Sequence, residues 1–139
     1  MQDFKLNIYK KDTGNELSGY TSLNLKNCKE IVDEISILVG LSSQNQNLFV
    51  ALEKHLQFKD FDEDDTYNIE LLINDFGLSQ KESFFVVWSE NEIDKVNADS
   101  LLPAWEYLWY SDSDEAIILF QRFSQKLILI THYGRIFYN

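Results

Sequence analysis

The side chains best suited to chemistry are few: one cysteine, Cys28, two histidines, His55 and His132, and the run Asp60-Phe61-Asp62-Glu63-Asp64-Asp65. A thiol near the first turn of a helix has a lowered pKa and acts as a nucleophile when a base stands beside it. Cys28 meets the first condition, but nothing in the spacing brings His55 or His132 to it. Aspartates at alternate positions open a calcium-binding EF-hand loop. Aligned from Asp60, however, the sharp-turn glycine position falls on Asp65 and the bidentate glutamate position on Leu71, with Glu70 one place early. There is no glycine-rich phosphate loop, zinc-ligand spacing or nucleophile elbow, and no pair of carboxylates is singled out for glycoside hydrolysis. The sequence therefore predicts no catalytic residue, no metal and no cofactor.

Charge is the stronger signal. Between Asp60 and Glu115 sixteen acidic side chains face two lysines, Lys81 and Lys95, a net of −14 in a chain whose total is −11. Residues 1 to 59 balance seven acids with seven bases, and residues 116 to 139 carry only Arg122, Lys126 and Arg135. A field of one sign attracts cationic partners and repels nucleic acid and anionic lipid. The expected partner is a basic protein, with no nucleic acid and no membrane. Trp105, Tyr107, Trp109 and Tyr110 lie among Glu106, Asp112, Asp114 and Glu115, and aromatic side chains of this kind dominate binding hot spots. The expected partner-binding residues are Asp60, Asp62, Glu63, Asp64, Asp65, Glu106, Tyr107, Tyr110, Asp112, Asp114 and Glu115.

Apolar periodicity supplies the elements that must position these residues. Phe4, Leu6 and Ile8 alternate with Lys5, Asn7 and Tyr9 before Asp12-Thr13-Gly14-Asn15, which predicts a strand and turn, with a second strand over Leu17 to Leu23 completing an opening hairpin. Asn27 and Glu30 predict a capping box for a helix carrying Ile31, Val32, Ile35, Leu38 and Val39 to Gly40. Ser43 is read as the cap of a second helix, with Phe49, Leu52 and Leu56 on one face. The acidic run is placed at the start of a third, with Ile69, Leu72, Ile73 and Phe76 inward and Gly77 closing it.

Phe84 to Trp88 predicts a buried strand. Asp99 or Ser100 would then cap a helix over Leu101 to Tyr110, with Pro103 in its first turn and Trp105 in its inward stripe, leaving Glu106, Tyr107 and Tyr110 outward. Ala116 to Phe120, Lys126 to His132 and Arg135 to Tyr138 predict a three-strand meander whose middle strand, Leu127 to Ile130, is covered on both faces. The expectation is a single α+β domain over residues 1 to 139, a mainly antiparallel sheet packed against about four helices.

Composition agrees with a folded core: 45% of residues are hydrophobic and 14% aromatic, too rich for a disordered acidic tail. A lone cysteine, no apolar signal-like segment at Met1 to Leu6 and no membrane-length apolar run predict a soluble, cytoplasmic protein.

A small acidic α+β domain bearing the Asp60 to Asp65 run and the stretch Leu102 to Glu115 resembles, as a class, the immunity proteins of bacterial polymorphic and contact-dependent toxin systems. The resemblance implies a protein partner, most naturally a nuclease-type toxin. Such toxins hold phosphates in cationic clefts that an acidic inhibitor can fill. Two other readings stand beside it, a DNA mimic that blocks a DNA-binding protein and an adaptor whose charge serves solubility alone.

Overall fold

The computed structural model describes residues 1–41 and 46–139. Among these, five α-helices pack on a seven-stranded sheet in which every neighbouring pair is antiparallel, the α+β architecture expected. The helices are α1 (Asp3–Thr13), α2 (Leu25–Val39), α3 (Leu48–His55), α4 (Ile69–Phe76) and α5 (Ala98–Leu108). The strands are β1 (Tyr20–Ser22), β2 (Gln57–Asp60), β3 (Phe84–Ser89), β4 (Glu92–Val96), β5 (Ala116–Gln121), β6 (Lys126–Thr131) and β7 (Arg135–Tyr138), and a 3-10 helix spans Glu63–Tyr67. Across the sheet the order is β1-β4-β3-β5-β6-β7-β2, so the expected C-terminal meander lies within it, next to the β2 edge. No helix among the described residues is long and apolar enough to cross a membrane.

Strand alternation divides the core between the two faces of the sheet. Phe84, Val86, Ile117, Leu119, Ile128 and Ile130 pack with α4 and α5 on one face. Phe85, Val87, Ile118, Phe120, Leu127 and Leu129 pack with α2 and α3 on the other. The middle strand of the meander is thus buried from both sides, as its unbroken apolar run requires.

The N-terminal segment is a helix, not the strand of an opening hairpin. Its inward side chains recur at the helical spacing of four, Met1, Lys5 and Tyr9, while Phe4 and Ile8 are 43% and 37% exposed. Because the most deeply buried of the inward three is a lysine, apolar periodicity points the wrong way. Gly14, at φ 75°, ends the helix with its N–H on the Lys10 carbonyl. Of the expected hairpin only β1 remains as a strand, paired with β4.

Asparagine side chains cap the starts of three helices. Asn24 caps α2 by accepting from the Asn27 N–H, three residues before the expected cap at Asn27, and Gly40 closes the helix as expected. Asn47 caps α3, and Ser43, the expected cap, lies outside the described residues. Asn68 caps α4, so the acidic run does not begin that helix. It ends β2 and then winds its own 3-10 turn, leaving Glu70 as the one acid in the first turn of α4. α5 starts at Ala98, which puts Pro103 in the second turn, where the carbonyl of Asp99 loses its helical donor.

Candidate functional site

In a sheet of short antiparallel connections every turn falls at one of two ends. The pairs Ala116↔Thr131, Ile130↔Ile136, Ser89↔Glu92 and Asp60↔Arg135 place four segments at the same end: the β3–β4 turn, the α5–β5 loop, the β6–β7 turn and the exit of β2 into the acidic run. That end collects Asp60, Asp62, Glu63, Asp64, Asp65, Glu90, Glu92, Asp112, Asp114 and Glu115. The opposite end carries Lys81, Arg122 and Lys126 beside the single acid Glu82 of the turn before β3, whose carboxylate accepts from the Phe123 and Ser124 N–H groups. Charge that is clustered along the chain is therefore also clustered in space.

One threonine joins the acidic run to the aromatic stretch. Trp105 and Trp109, a helical turn apart and both buried, donate their indole N–H groups to the Thr66 carbonyl and the Thr66 hydroxyl, each at 2.9 Å. The Thr66 hydroxyl donates in turn to the Glu63 carbonyl. Next to it the Tyr67 hydroxyl accepts from the Ser111 N–H at 2.8 Å. The 3-10 helix is thereby fixed on the end of α5, with Thr66 inward and Asp62, Glu63, Asp64 and Asp65 exposed. On its other flank the Phe61 N–H donates to the Gly134 carbonyl at 2.8 Å. Gly134, at φ 88°, leaves no room for a Cβ beside the Phe61 carbonyl.

Thr66→Val keeps the shape and strands the Trp109 N–H, an expected loss of about 2 kcal/mol. A lower urea midpoint at unchanged denaturant slope would show it.

The expected binding residues fall into three groups. Asp62, Glu63, Asp64, Asp65, Asp112 and Glu115 are exposed at the acid-rich end and form no ion pair among the described residues. Asp60 is exposed but held by Arg135, whose guanidinium donates to both carboxylate oxygens at 2.7 and 3.2 Å. This bond lowers the Asp60 pKa and raises that of Arg135. Glu106 is exposed on α5.

Asp114 is engaged internally. Its Oδ2 accepts from Lys5 Nζ at 2.8 Å and from the Tyr110 N–H at 3.0 Å, with 13% of its side chain exposed.

Tyr107 and Tyr110 are half-buried against α1. Tyr107 meets Tyr9 edge-on at 5.3 Å and Tyr110 lies 5.8 Å from Phe4, ring centroid to centroid. Burial is the main cause raising both phenol pKa values. The Tyr110 hydroxyl is buried without a hydrogen-bond partner among the described residues. Tyr110→Phe removes that group and is expected to stabilise the fold by about 1 kcal/mol, raising the melting temperature by about 3 °C.

No family model, curated protein or solved structure matches this chain. The geometry alone bears on what the site does.

At the acid-rich end a cleft of about 760 Å³ opens between α3, the β3–β4 turn, the α5–β5 loop and the β6–β7 turn. Its walls mix carboxylates, Glu53, Glu92, Asp114 and Glu115, with the rings of Phe49, Trp88, His132 and Tyr133. Glu53, Glu92, Trp88 and Tyr133 are additions to the residues expected from sequence. They come from separate segments, brought together by strand order and by the packing of α3 on the sheet.

The chemically versatile side chains lie elsewhere or are held by the backbone. Cys28 is 1% exposed in the core beneath α2, its thiol 3.8 Å from the Leu23 carbonyl. His132 is exposed, with Nδ1 3.1 Å from the Glu115 carbonyl, and His55 is exposed at the end of α3. Among the described residues no three His, Cys, Asp or Glu side chains converge as a metal site would require.

Proposed function

We propose that this protein is a non-catalytic acidic binding protein that neutralises a basic protein partner, acting as an immunity protein against a cognate bacterial toxin of nuclease type. The observation that carries the reading is the gathering of exposed carboxylates that form no ion pair among the described residues, Asp62 to Asp65 with Asp112 and Glu115, at one end of the sheet, where Thr66 fixes the acidic run. Like charges held this close repel one another, and a cationic surface on a partner relieves that repulsion. A nuclease offers such a surface in its phosphate-binding cleft, and an inhibitor that presents carboxylates there associates fast and blocks substrate. The proposed setting is the cytoplasm of the cell that must be protected.

The test is co-expression with a basic nuclease-type toxin domain, sought among the products of neighbouring genes. Relief of the growth arrest which that domain causes, together with a complex that survives purification at low salt, is the expected result. Undiminished toxicity and no complex with that domain would contradict the proposal.

A further inference from the structure

The cleft at the acid-rich end sets carboxylates beside aromatic rings. Two of its lining residues, Trp88 and Asp114, already hold a cation on their protein side: Lys5 Nζ lies 4.1 Å from the Trp88 ring centroid and 2.8 Å from Asp114 Oδ2. The cleft wall also carries Glu53 and Glu115 together with the rings of Phe49 and Tyr133. Glu92 is taken by the Met1 amine at 3.3 Å and Asp114 by Lys5, whereas Glu53 and Glu115 form no ion pair among the described residues. Tyr133, 49% exposed, places its hydroxyl 3.5 Å from Glu53, and Phe49 lies beside them in the wall.

We infer that this cleft receives an arginine side chain of the partner, which anchors the complex. A guanidinium stacks flat on aromatic rings and directs five N–H donors in one plane, so a single group can satisfy two carboxylates and lie against a ring. An ammonium offers a point charge and gains less from the same walls. The inference rests on the reading of the partner as a basic protein, and it goes further by placing the contact in the cleft.

The test uses a short blocked Gly-Arg-Gly peptide, with lysine and citrulline versions, followed by the indole N–H resonances at low salt. Trp88 is the reporter, and the buried Trp105 and Trp109 are internal references. The arginine peptide is expected to shift Trp88 saturably, the lysine peptide to bind roughly five-fold more weakly, and the citrulline peptide not to bind. Glu115→Gln and Tyr133→Ala should each weaken arginine binding by about five-fold, and Asp62→Asn, outside the cleft, should leave it unchanged. Equal binding of the citrulline peptide, or arginine binding indifferent to both cleft variants, would overturn the inference. A partner whose association falls when Asp62 to Asp65 are neutralised but ignores the Glu115 and Tyr133 variants would also overturn it, with the reading of a basic partner intact. Indifference to both sets of variants would overturn the two together.

Discussion

Replacing Lys5 with methionine should lower stability by about 3 to 5 kcal/mol, the range found when one member of a buried ion pair is removed. The Lys5 side chain is fully buried, donating to Asp114 and, at 2.7 Å, to the Leu108 carbonyl at the end of α5. Methionine fills much the same volume but leaves a nearly buried carboxylate and a helix-terminal carbonyl without their donor. It also withdraws the cation from the Trp88 ring. At about 3 °C per kcal/mol for a chain of this size, the melting temperature should fall by about 10 °C or more. If the loss comes from the stranded charge, Lys5→Met with Asp114→Asn should be more stable than Lys5→Met alone, by about 1 kcal/mol or more. A double variant no better than the single one would locate the loss in packing instead.

The same lysine carries a pH signature. Burial outweighs the attraction of Asp114 and Glu92 and holds the ammonium below the ordinary lysine pKa. In the interval beneath that ordinary value the unfolded chain binds the proton more tightly than the folded one, so the contribution of Lys5 to stability increases as pH rises. Tyr107 and Tyr110 act in the opposite sense. Their pKa values are raised on folding, so what they contribute is present below the ordinary tyrosine value and lost as pH climbs through the folded one. The difference between parent protein and Lys5→Met isolates the lysine: it should widen with pH across the alkaline interval.

The second large effect concerns association. Converting Asp62, Asp64 and Asp65 to Asn and Glu63 to Gln should slow binding of the basic partner by about ten-fold or more at low ionic strength and flatten its salt dependence. All four side chains are exposed and form no ion pair among the described residues, so their removal deletes field and no internal bond seen there. Stability should hold or rise slightly, since relief of repulsion has nothing to offset it. Near 1 M salt, where screening acts within about 3 Å, the rates of the two proteins should converge.

The elements legible in the sequence are those whose burial is apolar and whose ends are capped. The apolar faces and closing glycines of α2 and α4 are visible directly, and the meander announces itself through three apolar runs separated by turn residues. α1 escapes because its innermost side chain is Lys5. β4 escapes because Asp94 points inward, where it accepts from Trp88 Nε1 at 2.7 Å and pairs with the Met1 amine at 3.0 Å. β2 escapes because all four residues are exposed and only backbone pairing to β7 defines it.

For the candidate site, the composition of the acidic run was readable but its neighbourhood was not. Thr66, an uncharged residue directly after Asp65, is the one local sign that this stretch faces inward at a point, and Trp105 and Trp109 at helical spacing are its matching donors. Asp114 looks like surface charge until Lys5 is known to be buried. Glu53 and Glu115 line one cleft through the packing of α3 on the sheet and the order of its strands, which no local pattern encodes.

The most direct test of an acid-rich end that recognises a basic protein is a comparison at constant net charge. One variant neutralises Asp62, Glu63, Asp64 and Asp65, and the other neutralises Asp12, Glu16, Glu30 and Asp33, four exposed acids of α1, α2 and the segment between them. Association rates with the partner are measured from low to high salt. The first variant should lose rate and salt dependence while the second stays close to the parent protein. Equal losses in both would mean that overall charge, and not the end of the sheet, governs binding.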